Sequence, residues 1–196
     1  MIDLSNYPNL NNLANSLGGV RKAALNKKLL EKSENSWRRF SQEEIVRLEE
    51  EVKFAKPVIK SYVTPTAILY MTNHAFFAIP VKDIIWVYVS TTTMKMNFIP
   101  YNKVHNLFVV TRDGQTHNIG SMNTGGFSKK RPCDPAVMEL QSIFAPVRPG
   151  ILYGYSDQIA GAVHTNPAAV AQEVDMRSGV QPMQQGQPIQ QATYMQ

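Results

Sequence analysis

Cysteine is nearly missing: Cys133 is the single one among 196 residues. That excludes a disulfide framework and any cysteine-based zinc cluster. Long apolar runs are missing too. The longest, such as Ile84-Ile85-Trp86-Val87-Tyr88-Val89, fall far short of the roughly 20 residues that span a bilayer. The N-terminus, Met1-Ile2-Asp3-Leu4-Ser5-Asn6, has no basic stretch leading into an apolar one, so it does not read as a signal peptide. The expectation is a reduced, cytoplasmic protein without a transmembrane segment.

Catalytic signatures are equally scarce. No serine stands in G-x-S-x-G, and no glycine pattern forms a Walker loop or a dinucleotide turn. His74, His105, His117 and His164 show neither H-x-x-x-H nor H-x-E spacing, and they read as solvent-facing strand or surface histidines. Counted outward from Asp113-Gly114, His117 falls opposite Val110 and not His105, so no metal pair forms. Cys133 lies beside Lys130 and Arg131 near a helix start, a setting that lowers a thiol pKa. No His or Asp constellation accompanies it, so a plain, partly exposed thiol is expected. The sequence implies no enzyme, no cofactor and no metal.

What is present is a hydrophobic share of 43%, enough for a core, and a formal charge of +5. The charge is uneven: +4 over residues 1–40, −1 over 41–60, +5 over 61–132 and −3 beyond. Such a field attracts phosphates or an anionic membrane, or it simply keeps the surface solvated.

Residues 1–16 are rich in Asn and read as an irregular lead-in that docks through Leu10 and Leu13. Val20 to Lys32 carries apolar residues at helical spacing, which predicts an amphipathic helix. Ser41 and Glu44 form a capping box for a second helix with Ile45, Leu48 and Val52 as its buried stripe, stopped by Pro57. The texture then changes. Val58–Val63, Ala67–Met71, His74–Ile79, Ile84–Ser90, Met94–Ile99, Asn106–Arg112 and Gln115–Ile119 read as seven strands joined by turns too short for crossover helices. An antiparallel meander is required. Asp113-Gly114 reads as a two-residue hairpin turn with both positions at positive φ. Asp134 and Pro135 open a helix with Val137, Met138, Leu140, Ile143 and Phe144 on its apolar face. Ser156–Ala160 starts a further short helix. The last 16 residues hold seven Gln and two Pro without a charge, which predicts disorder. The resulting division is 1–56 helical extension, 57–147 barrel with capping helix, 148–165 short helical segment, and 166–196 disordered tail.

The order of these elements resembles the pleckstrin-homology-like (PH-like) superfold. Ala67–Ser90, with its Ile79-Pro80-Val81-Lys82-Asp83-Ile84 segment, is similar to bacterial versions of it. Asn97-Phe98-Ile99-Pro100, Thr111-Arg112-Asp113-Gly114 and Gly154-Tyr155-Ser156-Asp157 are similar to an uncharacterised, mostly Firmicutes family of such domains. The resemblance covers about residues 57–160. It implies a seven-strand antiparallel half-barrel capped by a C-terminal helix; the N-terminal helical extension lies outside the resemblance, and the whole reads as an α+β fold. It brings no catalytic residue, and the loop that binds phosphoinositides in that superfold, here Val63-Thr64-Pro65, has no cation. Leu140, Ile143 and Phe144 should plug the barrel, and Trp86 should pack in the core.

One segment carries local binding chemistry. Gly125 and Gly126 let backbone amides approach an anion, Lys129, Lys130 and Arg131 add charge, and Phe127 can enter a lipid interface or stack on a base. A second basic set, Arg21, Lys22, Lys27, Lys28, Arg38 and Arg39, lies in the N-terminal helices. The expected function is a non-catalytic binding module that recognises a protein partner through an open sheet edge or the extra helices. Its alternative is peripheral binding to anionic lipid or nucleic acid through the basic clusters.

Overall fold

The structure, a computed structural model, describes residues 4–20 and 27–179. Six α-helices and eight strands make a mixed α+β fold among these residues. None of the helices is long and apolar enough to cross a membrane.

The chain begins with α1 (Pro8–Ser16), where an irregular lead-in was expected. Tyr7 supplies no side-chain cap to α1. The cap comes instead from Glu49, whose carboxylate accepts from Asn9 N–H at 2.7 Å and Leu10 N–H at 2.9 Å. A carboxylate there also complements the helix dipole. Glu49 belongs to α3 (Gln42–Glu51), so the device is tertiary and has no local signature. The capping box of α3 forms as expected: Ser41 Oγ accepts from Glu44 N–H at 3.2 Å, and Glu44 Oε2 accepts from Ser41 N–H at 2.7 Å. Ile45, Leu48 and Val52 are buried. The helix expected over Val20–Lys32 is instead α2 (Lys27–Trp37), anchored by buried Trp37; residues 21–26 lie outside the described residues.

Eight strands form two open four-stranded sheets, where one seven-strand set was expected. The first sheet runs in the order β1 (Lys56–Val58), β2 (Ser61–Val63), β3 (Ala67–Thr72) and β4 (Ala75–Pro80). The second places β7 (Thr116–Gly125), β6 (Ile99–Thr111) and β5 (Ile84–Met96) beside a two-residue parallel β8 (Leu152–Tyr153). Three local features change the strand count and the turns. Val58–Val63 folds back on itself at Ile59, which adopts φ 57°. Ile59 packs where a Cβ on Gly120 would stand, so Gly120 is needed for the approach. Met94–Ile99 is not a separate strand; β5 runs on through it to a turn at Asn97 and Phe98, with φ 49° and 66°. Pro100 then sits inside β6 and does not end it. Its missing N–H falls beside a register shift in the ladder, where Pro is tolerated. At Asp113-Gly114 only Gly114 has positive φ (75°), and Thr111 N–H bonds the Gln115 carbonyl at 2.9 Å. That is a three-residue loop, not the expected two-residue turn.

The β3–β4 half of the first sheet is buried on both faces. Ile68, Tyr70, Phe77 and Ile79 join the main core with Val87, Leu107, Val109, Leu140 and Phe144. Leu69, Phe76 and Ala78 face a second cluster with Leu10, Trp37 and Leu48 of the N-terminal helices. This is why Ala75–Pro80 reads as an unbroken apolar run. In α4 (Asp134–Phe144), Leu140 and Phe144 are fully buried as expected, while Ile143 is half-buried.

Two helices close the described chain. α5 (Asp157–Thr165) starts where expected, with Ser156 Oγ accepting from Ile159 N–H at 3.5 Å. α6 (Pro167–Arg177) corrects the expectation that the chain is disordered from residue 166. Val174 is fully buried, and Asp175 accepts from Arg148 Nη2 at 2.6 Å. Gly150 lies so close to the Val174 carbonyl that a Cβ would collide with it. The Gln-rich residues 180–196 lie outside the described residues.

Candidate functional site

The β5–β6 hairpin outruns the core that supports its base. Val87, Leu107 and Val109 are buried, whereas every residue from Thr91 to Ile99 is exposed. A strand end of this kind normally turns polar in water. Here it turns apolar: Met96 and Ile99 are cross-strand partners, 69% and 60% exposed, and Phe98 at the apex is 95% exposed. Phe98 also holds a left-handed conformation that costs a bulky residue about 1–2 kcal/mol. Tyr101 and Met94 extend the apolar surface below the apex.

The loop after β7 is fastened to this hairpin. Gly126 N–H donates to the Tyr101 carbonyl at 3.1 Å, and a Cβ on Gly126 would collide with the Pro100 carbonyl. Lys103 Nζ donates to the Ser128 carbonyl at 2.7 Å. Phe127, 77% exposed, is therefore held beside the apex of the hairpin.

Positive charge predominates around this tip, where Asp134 pairs with Arg131. Between Ile84 and Cys133 the sequence contains one acid, Asp113, at the far end of β6 from the apex. Lys95 and Lys103 lie on the hairpin itself, and Lys129, Lys130 and Arg131 follow Phe127 in the attached loop. Lys129 and Lys130 are exposed and make no ion pair among the described residues; Arg131 Nε pairs with Asp134 Oδ2 at 3.0 Å.

The loop is a cationic rim, and its amides do not form the open cradle the sequence suggested. Gly125 ends β7. The amides of Gly126, Ser128 and Lys130 are taken by the Tyr101 carbonyl, the Gly125 carbonyl and Ser128 Oγ. The first turn of α4 already carries its own carboxylate, Asp134. The N-terminal basic set is dispersed in role. Lys27 and Lys28 are exposed at the start of α2, and Arg38 is exposed and reaches Asn35. Arg39 is held internally by Asp83 at 3.3 Å and by Asp113. Arg21 and Lys22 lie outside the described residues.

Three expectations are corrected here. His105 is buried, not solvent-facing: its Nδ1 and Nε2 each lie 2.9 Å from a threonine hydroxyl, Thr91 on β5 and Thr124 on β7. The imidazole thereby ties three strands together. Cys133 is buried with Sγ 3.4 Å from the His105 carbonyl, and burial pushes its thiol up, against a backbone hydrogen bond at Met122 and with Asp134 adding to the rise. Trp86 packs in the core as expected, stacked on Tyr88 at 4.1 Å with Nε1 donating to the Gly154 carbonyl at 2.7 Å. His117 stands opposite Val109, one residue from the expected partner.

The apex escaped the sequence reading because Asn97-Phe98 lacks the glycine that announces a tight turn. The available signal was the acid-free stretch with Met94, Met96, Phe98 and Ile99 close together. Comparison with protein families, curated proteins and solved structures gives no match.

Proposed function

We propose that this chain is a non-catalytic PH-like module that docks peripherally on an anionic membrane, at its cytoplasmic face, through the β5–β6 apex and the 127–131 loop. Phe98 carries the reading: it is the most exposed large apolar side chain among the described residues, held in a costly turn at the tip of an acid-free hairpin. Burying one such ring is worth about 1.5–3 kcal/mol. Each cation near an anionic leaflet adds about 1 kcal/mol. Phe98 with Phe127 and Lys129 with Lys130 thus supply the two signals that stable peripheral binding needs. The PH-like part of the reading is supported by the antiparallel meander followed by α4, whose Leu140 and Phe144 enter the core.

Peptide addition at the β4 edge fits less well. β4 is an edge strand, and α2 already occupies its polar groups. Ser33 Oγ and Trp37 Nε1 donate to the Phe76 carbonyl at 2.7 and 2.9 Å, and Ala78 N–H donates to Ser36 Oγ at 3.3 Å.

Cosedimentation with phosphatidylserine–phosphatidylcholine vesicles tests the proposal. The full chain should bind these and not pure phosphatidylcholine, with affinity falling as salt rises. Phe98→Ser should weaken binding about tenfold or more. Phe54→Ser removes another highly exposed ring, at 85% exposure and outside the hairpin, and should leave binding unchanged. No binding at low salt, or equal losses for the two variants, would overturn the reading.

A further inference from the structure

A second site lies at the other end of the molecule's chemistry, between α2 and the two sheets. A cavity of 430 Å³ opens there, floored by Phe77, Ile79 and Pro80 of β4 and by Leu29 of α2. That size suits a small organic ligand. Tyr70 and Phe77 lie stacked along it, ring centres 5.2 Å apart at 15°. Among the described residues, the ionisable groups lining it are Lys32, Arg39, Tyr70 and His117, and no carboxylate lines it.

These polar groups are not equally committed. Arg39 is paired with Asp83 and Asp113. Lys32 is exposed at the cavity edge and makes no ion pair among the described residues. His117 has two weak partners, Tyr70 OH 3.4 Å from Nδ1 and Thr111 Oγ1 3.4 Å from Nε2. Contacts that long leave hydrogen-bonding capacity unspent. Tyr70 is buried, so its hydroxyl has few alternatives to water or a ligand. Burial and the positive charges of Arg39 and Lys32 favour the neutral imidazole, against the opposing pull of Asp113.

We infer that this cavity binds a small amphipathic organic anion, its apolar body on Phe77, Ile79 and Pro80 and its carboxylate or equivalent head facing Lys32, His117 and the Tyr70 hydroxyl. An apolar floor with a cationic, acid-free mouth is complementary to that class and to neither a cation nor a neutral hydrocarbon. The anionic head supplies the opposite charge that Lys32 lacks and accepts from Tyr70 and from protonated His117. The site is independent of membrane docking, since it shares no residue with the β5–β6 apex.

Titration calorimetry with 4-phenylbutyrate and with its uncharged amide tests this on the full chain. The acid should bind at least tenfold more tightly than the amide, and more tightly at pH 6 than at pH 8 because binding favours protonated His117. Lys32→Gln, at an exposed position that leaves the core intact, should weaken the acid about tenfold and the amide little. Tyr70→Phe should weaken the acid while its thermal unfolding stays close to that of the parent. Phe98→Ser should bind the acid normally, which separates this site from the membrane reading. Absence of binding by the acid, equal affinity for acid and amide, or indifference to Lys32→Gln would overturn the inference.

Discussion

Trp37 Nε1 donates to the Phe76 carbonyl at 2.9 Å, joining the second helix to the outer edge of the first sheet. The same indole packs on the Phe76 ring, centroids 5.3 Å apart, and is 3% exposed. One side chain therefore satisfies a strand edge and fills the N-terminal core.

Replacing Trp37 by Ala should cost about 3–5 kcal/mol through lost burial and a cavity. Trp37→Phe keeps most of the apolar contact, and Ser33 Oγ still bonds the Phe76 carbonyl, so a loss of about 1–2 kcal/mol is expected. Urea unfolding of both variants measures the difference. Equal losses would mean that the ring contributes little beyond its hydrogen bond.

The C-terminal end gives a sharper contrast. Truncation after Gly179 should leave the melting temperature within a few degrees. Truncation after Thr165 removes Val174 and Asp175 and strands Arg148, whose side chain is 6% exposed. An unpaired buried guanidinium costs about 3–5 kcal/mol, so the shorter chain should melt well below the longer one. Equal melting temperatures would show that α6 adds nothing to stability.

Stability should also fall on mild acidification. Folding lowers the His117 pKa from its ordinary value of 6.5, by burial first and then by Arg39 and Lys32. Its contribution is therefore present above about pH 6.5 and lost as pH falls through that value toward the lower folded one. Asp113 is also lowered: hydrogen bonds from Thr111 and Arg39 outweigh its burial, so its contribution fades only below its ordinary 3.8. Urea midpoints at pH 7.5 and 5.5 should differ in the parent and differ less in His117→Gln. An unchanged difference would assign the acid sensitivity elsewhere.

Much of the fold was legible because its signals are local. Ser41 and Glu44 cap α3 within one turn of chain, and Ser156 does the same for α5. Leu140 and Phe144 fall one turn apart on a helix, so their shared burial follows from spacing. Short turns forced the strands to be antiparallel. The candidate site was half legible: Phe127, Lys129 and Lys130 stood out by composition, but the hairpin that makes them a tip did not. Phe98 at φ 66° violates the residue preference by which turns are recognised.

The sequence by itself determined α3, α5 and the antiparallel course of the strands between residues 58 and 119, because caps, turns and hydrophobic period act over a few residues. It also determined the acid-free character of residues 84–112, which no fold can alter. Tertiary structure decided what those segments meet. It gave α1 a cap from Glu49, wrapped the β4 edge with Ser33, Ser36 and Trp37, and drew residues 167–177 into the fold through Arg148 and Asp175. These partners are 27 to 43 residues apart, and pairing at such distance is selected by burial across the whole core rather than by any neighbour in sequence.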